Sequence, residues 1–249
     1  MEILLYDDSF EGMLCAIYYA FYSKSTIDGI YSEKDFSSPL LLGTIVNIDT
    51  DNIKYTKVRD AIINKIDFLC LKKIYMVYLS CEVERGLIIY KYLKSAFKLG
   101  KDVHSFLNLN EVRIIDEINK RVSLERHRFE GFVRFNYIEN KFLYSSIEPD
   151  NNIVELLAEH FKNRFPNEYF IIHDIKREKA VVYNSSSYEI VSMSYDIYEQ
   201  LKSHDDEYMK LWKAYFKATD IEERKNLRLQ CRMMPKRYWK HIFETNKYK

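Results

Sequence analysis

The sequence predicts an α+β fold: a helical N-terminal half carrying one or two short strands, then an antiparallel sheet with a covering helix, closed by terminal helices. Three observations predict it. Between Tyr55 and Arg126 apolar residues recur mainly at helical spacing; between Gly131 and Met193 short runs rich in Val, Ile, Tyr and Phe alternate with turn residues; after about Tyr208 the helical spacing returns. At 249 residues and 47% hydrophobic, the chain can bury one large core or two modest ones, and 30% charged residues keep its surface wet. The composition shift near His127 divides it into a mostly helical lobe, 1–127, and an α+β lobe, 128–249.

In chain order, Ile3–Tyr6 reads as a buried strand stopped by Asp7-Asp8-Ser9, after which Phe10, Leu14, Ile17 and Phe21 mark a helix. Asp8 and Glu11 have capping-box spacing. Gly29, Ser37-Ser38-Pro39 and Gly43 indicate a loop, and the alternation Thr44–Ile48 a single strand. Val58, Ile62, Ile66 and Leu69 predict one helix, Ile74–Leu79 a second, and Leu87–Leu99 a third that Gly100 terminates. A fourth runs from Asn110 to Arg126 on the stripe Val112, Ile115, Ile118 and Val122, with Arg113, Lys120, Arg121, Arg126 and Arg128 along or beyond its wet side. Gly131–Ile138 and Lys141–Ile147 then form a hairpin through Glu139-Asn140. Glu148–Asn152 turns and caps a helix with the face Ile153, Leu156, Leu157, Phe161 and Phe165. Tyr169–Ile175, Ala180–Tyr183 and Tyr188–Met193 extend the sheet, and Tyr208, Leu211, Trp212, Tyr215 and Phe216 mark the helical tail.

The stretch of greatest chemical interest is Asn226–Glu244, where Arg228, Arg232, Lys236, Arg237 and Lys240 are interleaved with Tyr238, Trp239 and Phe243. Cations neutralise phosphate and flat rings accept a base face, so the mixture suits a single strand or an opened duplex. The competing reading is a helix that buries Met233, Trp239, Ile242 and Phe243 and solvates its cations. In an unbroken helix Arg232, Lys236 and Lys240 share one face, but Pro235 disfavours helical geometry at Met234. A formal net charge of +1 excludes a protein that coats DNA by overall charge, leaving only local patches.

Other chemistry is sparse. Nucleotide-binding glycine loops, zincin motifs and the nucleophile elbow are all missing, and Cys15, Cys70, Cys81 and Cys231 have no metal-ligand spacing, so no cofactor or metal is expected. The beginning Met-Glu-Ile-Leu-Leu-Tyr-Asp-Asp resembles no targeting segment and Ile74–Leu79 is too short for a bilayer, which points to the cytoplasm. Histidines near carboxylates, namely His127, His160 and His173 with Glu148 and Asp150, are the acid-base or metal candidates. His160 falls on an apolar stripe, where a hydrogen-bonded core histidine is the commoner outcome. His173 and Asp174 alternate across a strand and so point to opposite faces.

Tyr6-Asp-Asp-Ser-Phe-Glu-Gly12, His127–Phe135, Ile147-Glu-Pro-Asp150, Ile172-His-Asp174 and the residues Arg228–Trp239 resemble the bacterial family called probable DNA metabolism proteins, over nearly the whole chain. Asp8 stands where that family usually has glycine, and Leu227 where it tends to have proline. The resemblance implies DNA as a ligand and a radical SAM protein as partner, and a related domain is fused to uracil-DNA glycosylase-like proteins. The expected function is an accessory nucleic-acid-binding protein that presents or senses DNA for that partner. Its alternatives are an enzyme acting on a damaged or flipped base and a protein-interaction subunit without nucleic-acid contact.

Overall fold

The computed structural model describes residues 1–37, 43–202 and 207–248, so Ser38-Pro39 of the expected loop and the side chain of Tyr208 lie outside the described residues. The chain divides into two compact units, Met1–Ser123 and Leu124–Lys249. The fold is mixed α and β, with helices dominating the first half and an antiparallel-rich sheet followed by helices in the second. Among the described residues no helix is long and apolar enough to cross a membrane.

In the first unit, β1 (Glu2–Tyr6) is flanked by β2 (Ile27–Ser32) and β3 (Thr44–Asn47), both parallel to it. Leu4, Tyr6 and Ile30 are buried from the sheet. The sequence reading missed β2 because Gly29 reads as loop; within the strand the Tyr31 ring occupies the place of its missing side chain. Between β1 and β2 lies α1 (Phe10–Tyr22), capped not by Asp8 but by Ser9, whose Oγ accepts the Gly12 N–H at 2.8 Å. Asp7 accepts from Ser9 N–H and from Thr50 Oγ at 2.7 Å, joining this turn to the end of β3. Asp8 takes a left-handed conformation, φ 65°, with its carbonyl accepting from Tyr78 Oη and its carboxylate paired with Arg85 and Lys34.

The helices that follow are α2 (Asn52–Lys65), α3 (Phe68–Tyr78) and α4 (Arg85–Leu99). The expected single helix through Val58 and Leu69 is broken at Ile66-Asp67, because the Asp67 carboxylate caps a new helix by accepting Cys70 N–H at 2.7 Å. Gly100, φ 60°, ends α4 as expected. Helix α5 (Asn110–Phe132) continues beyond Arg126 and crosses from one unit to the next. Its buried stripe runs on through Val122, Glu125, Phe129 and Val133, so helical burial overrides the β-rich composition that suggested a strand from Gly131.

The second unit is built on a sheet of β4 (Asn136–Ile138), β5 (Phe142–Ile147), β6 (Tyr169–Asp174), β7 (Lys179–Asn184) and β8 (Tyr188–Ser192), in that order. Glu139 and Asn140, φ 49° and 57°, turn the chain left-handed within the three residues, 139–141, that separate the paired Ile138 and Phe142. One pair departs from the antiparallel expectation: β5 and β6 are parallel, because α6 (Val154–Arg164) carries the chain back between them. Phe170, Ile172, Val181 and Leu157 belong to its core. No side chain of Glu148–Asn152 caps α6, contrary to expectation; Ile153 occupies the cap position. Then come α7 (Tyr195–Leu201), α8 (Glu207–Ala218) and α9 (Leu227–Met233).

Gly86 in α4 provides a test of the first unit. A Cβ there would lie 2.5 Å from the Ile30 carbonyl oxygen and 2.7 Å from Ile30 Cγ2. Gly86→Ala is expected to destabilise the protein by about 1–3 kcal/mol despite its better helix propensity, read from denaturant melts. An unchanged midpoint would contradict the close approach of α4 to β2.

Candidate functional site

The basic-aromatic stretch is not one helix. Asn226 Oδ1 accepts Leu229 N–H at 2.9 Å and starts α9, which ends at Met233. Met234 is extended, φ −126° and ψ 89°, because Pro235 follows, and a 3₁₀ turn then spans Lys236–His241. The shared face of Arg232, Lys236 and Lys240 expected in an unbroken helix therefore does not form. The break also sorts the side chains: Arg228, Arg232 and Lys236 are exposed, whereas Tyr238 and Trp239 are only 4% and 6% exposed.

A buried carboxylate holds the aromatic half. Glu125 of α5 accepts the backbone N–H groups of Asp150 and Asn151 at 2.7 and 2.8 Å, Asn151 Nδ2 at 2.6 Å and Tyr238 Oη at 2.6 Å. Burial, reinforced by Glu125, pushes the Tyr238 phenol well above its usual range, so it stays a donor. Arg237 lies over the Tyr238 ring at 4.6 Å and pairs with Asp150 at 2.8 Å. From the turn between β6 and β7, Arg177 donates to the Pro149 and Asp150 carbonyls and pairs at 2.8 Å with Asp174, whose carboxyl is raised above its ordinary pKa by burial in spite of that cation. Trp239 donates to the Met234 carbonyl at 2.8 Å. Further along, Glu244 accepts from Arg134 at 2.6 Å and from Trp212 Nε1 at 3.2 Å, which ties α8 to this last segment.

Beside this network, at the end of β5, lies a second polar group. Ser146 Oγ is 2.9 Å from His241 Nδ1, and His241 Nε2 is 3.6 Å from a Glu148 oxygen that Lys240 also contacts. Burial works against the Lys240 ammonium, yet Glu148 carries its pKa above the usual value. On the neighbouring strand His173 is wholly buried, donating from Nε2 to the Met193 carbonyl at 2.9 Å; its Nδ1 therefore accepts from Tyr144 Oη, also at 2.9 Å.

The structure thus gathers Glu148, Asp150, Arg237, Tyr238 and Lys240 around one loop, with His173 on the adjoining strand. His127 is elsewhere, exposed on α5 and paired with Glu130 at 3.2 Å. His160 is half-buried on α6 against Phe161, and among the described residues its Nε2 has no hydrogen-bond partner, unlike the bonded core histidine expected. Among the described residues no group of three histidine, cysteine or acidic side chains could hold a metal. Ser146 and His241 escaped the sequence reading because they stand 95 positions apart with no motif between them.

Another face was also missed. Leu211, Tyr215 and Phe216 of α8 and Leu227, Leu229 and Met233 of α9 are exposed, the Tyr215 ring to 61%. Lys213, Lys217, Arg224, Arg228 and Arg232 accompany them, all exposed and, among the described residues, without an ion pair. Arg237 and Lys240, by contrast, are held by Asp150 and Glu148.

Two measurements test this geometry. Tyr238→Phe deletes the donor to Glu125 and should cost about 1–3 kcal/mol of stability, because a buried acceptor loses its partner; a variant as stable as the parent would contradict the network. Burial lowers the His173 pKa, with the Met193 carbonyl opposing. A folded pKa depressed below the unfolded value means that this group's stabilisation is present above about pH 6.5 and is lost as pH falls through the folded pKa. The His173 ring resonances should accordingly titrate below about pH 6.5, and a midpoint above it would contradict the neutral, doubly bonded ring.

No curated protein and no solved structure matches the chain. Residues 83–244, more than half of the chain, match the family model described as a domain of unknown function, DUF4130, and the chain belongs to that family.

Proposed function

We propose that this chain is an accessory nucleic-acid-binding protein of the cytoplasm, acting in DNA modification or repair by presenting or sensing DNA for a separate catalytic partner. The resemblance supports a radical SAM protein as that partner. The single observation that carries the nucleic-acid reading is the exposed face of α8 and α9, where Arg228 and Arg232 lie in the same segment as the open rings of Tyr215 and Phe216. Cations without carboxylate partners keep their full charge for phosphate, which a net charge of +1 makes necessary. Tyr238 and Trp239 are buried, so stacking falls to the exposed rings instead.

A second reading, an enzyme acting on a damaged or flipped base, is favoured by the Ser146–His241 hydrogen bond with Glu148 behind it. In that reading His241 takes the proton of a nucleophilic Ser146 hydroxyl, the carboxylate steadies the imidazolium, and Glu148 rather than Asp150 is the carboxylate in place.

The binding reading is tested with Arg228, Arg232 and Lys236 replaced together by Gln. Affinity for DNA should fall for all sequences alike, and the slope of log affinity against log salt should become shallower by roughly 0.7–0.9 for each phosphate that the variant no longer neutralises. Arg237→Gln with Lys240→Gln should leave that slope nearly unchanged. A triple variant with the parent's affinity and slope would remove the support for this face.

A further inference from the structure

The second unit carries a groove of about 680 Å³ between α8 and α9, a size within the range of small-ligand clefts, roughly 300–1,000 Å³. We propose that it seats one unstacked nucleotide of a single strand. The inference rests on the nucleic-acid reading and says where a base goes.

Three features of the lining agree on this occupant. Its wall offers the half-open ring of Phe216 beside Leu227 and Met233, a flat and apolar surface of the kind a base face covers. Exposed apolar side chains are concentrated in this segment, which marks a surface that something covers. Its polar lining includes two amides, Asn226 and Gln230. Asn226 spends its Oδ1 on the Leu229 N–H, so its Nδ2 donors remain for a base acceptor, while Gln230 offers both a donor and an acceptor.

The charge fits as well. Arg224 lines the groove and Arg228 follows on α9, both exposed and without an ion pair among the described residues. The acidic side chains nearby are partly neutralised: Asp220 and Glu222 pair with Lys225 at 3.1 and 3.4 Å, leaving Glu223 as an exposed acid. An acidic amphipathic peptide would also match the cations and the apolar wall. A helical peptide satisfies its own backbone and would make no use of the two amides, and those favour a base.

The test uses the full chain with two probes, a 12-nucleotide thymidine strand and a 12-unit abasic strand carrying the same phosphates. The parent should bind the thymidine strand on the order of tenfold to a hundredfold more tightly than the abasic strand. Phe216→Leu, and separately Gln230→Leu, should shrink that ratio while leaving the salt slope unchanged, with far-ultraviolet dichroism verifying that each variant is folded. Equal binding of both strands by the parent, or variants that keep the full ratio, would overturn the groove assignment and leave the nucleic-acid reading standing. Binding of neither strand would overturn both. A Glu/Leu amphipathic peptide that binds the parent, loses affinity in Phe216→Leu, and is not displaced by the thymidine strand would make the groove a protein dock and also overturn the proposal.

Discussion

A carboxylate taken out of water must find donors for both its oxygens, and Glu125 finds them in two segments distant in sequence. The N–H groups of Asp150 and Asn151 fix the loop that leaves β5 for α6, and the Tyr238 hydroxyl fixes the turn that follows Pro235. Once Tyr238 points inward, Trp239 is drawn in beside it and Ile242 follows, while the residues before the proline are left outside. The position of nearly every cation in the basic stretch is a consequence. Arg237 and Lys240 fall next to Asp150 and Glu148, and Arg228, Arg232 and Lys236 fall in water.

Cations held by a carboxylate and cations without one differ in what they can do. The attraction between Arg237 and Asp150, or between Lys240 and Glu148, sets the geometry of the loop but leaves little charge for a polyanion. Exposed cations without carboxylate partners are individually weak, yet each can displace a counterion from a phosphate. A stretch that reads as one basic-aromatic motif therefore divides into an anchored part and an exposed part. The aromatic residues that make the motif conspicuous belong mainly to the anchor.

Much of the fold was legible because burial imposes a period. The stripes Phe10 to Ile17, Val112 to Val122 and Ile153 to Phe161 identify their helices, Gly100 marks a helix end, and Glu139-Asn140 marks a hairpin. Where the reading failed, a local signal met a stronger tertiary one. Gly29 disguised β2, Phe132-Val133 disguised the end of α5, and Asp67 divided a continuous apolar run. The parallel pairing of β5 with β6 was implicit in a strand, a helix and a strand in succession, since a crossover helix returns the chain in its original direction. The site was legible only in part. Residue types singled out the cations and Glu148 as candidates, but nothing in the spacing could show that Ser146 meets His241, or that Trp239 lies inside.

In the proposed function, residues 237–245 are an anchor and residues 210–233 a contact face for nucleic acid. Hydrogen exchange of the backbone amides, measured with and without a short thymidine strand at low salt, separates the two directly. Added strand should slow exchange across 210–233, while 237–245 should be slow beforehand and unchanged afterwards. Protection gained only in 237–245, or fast exchange there in the free protein, would contradict it.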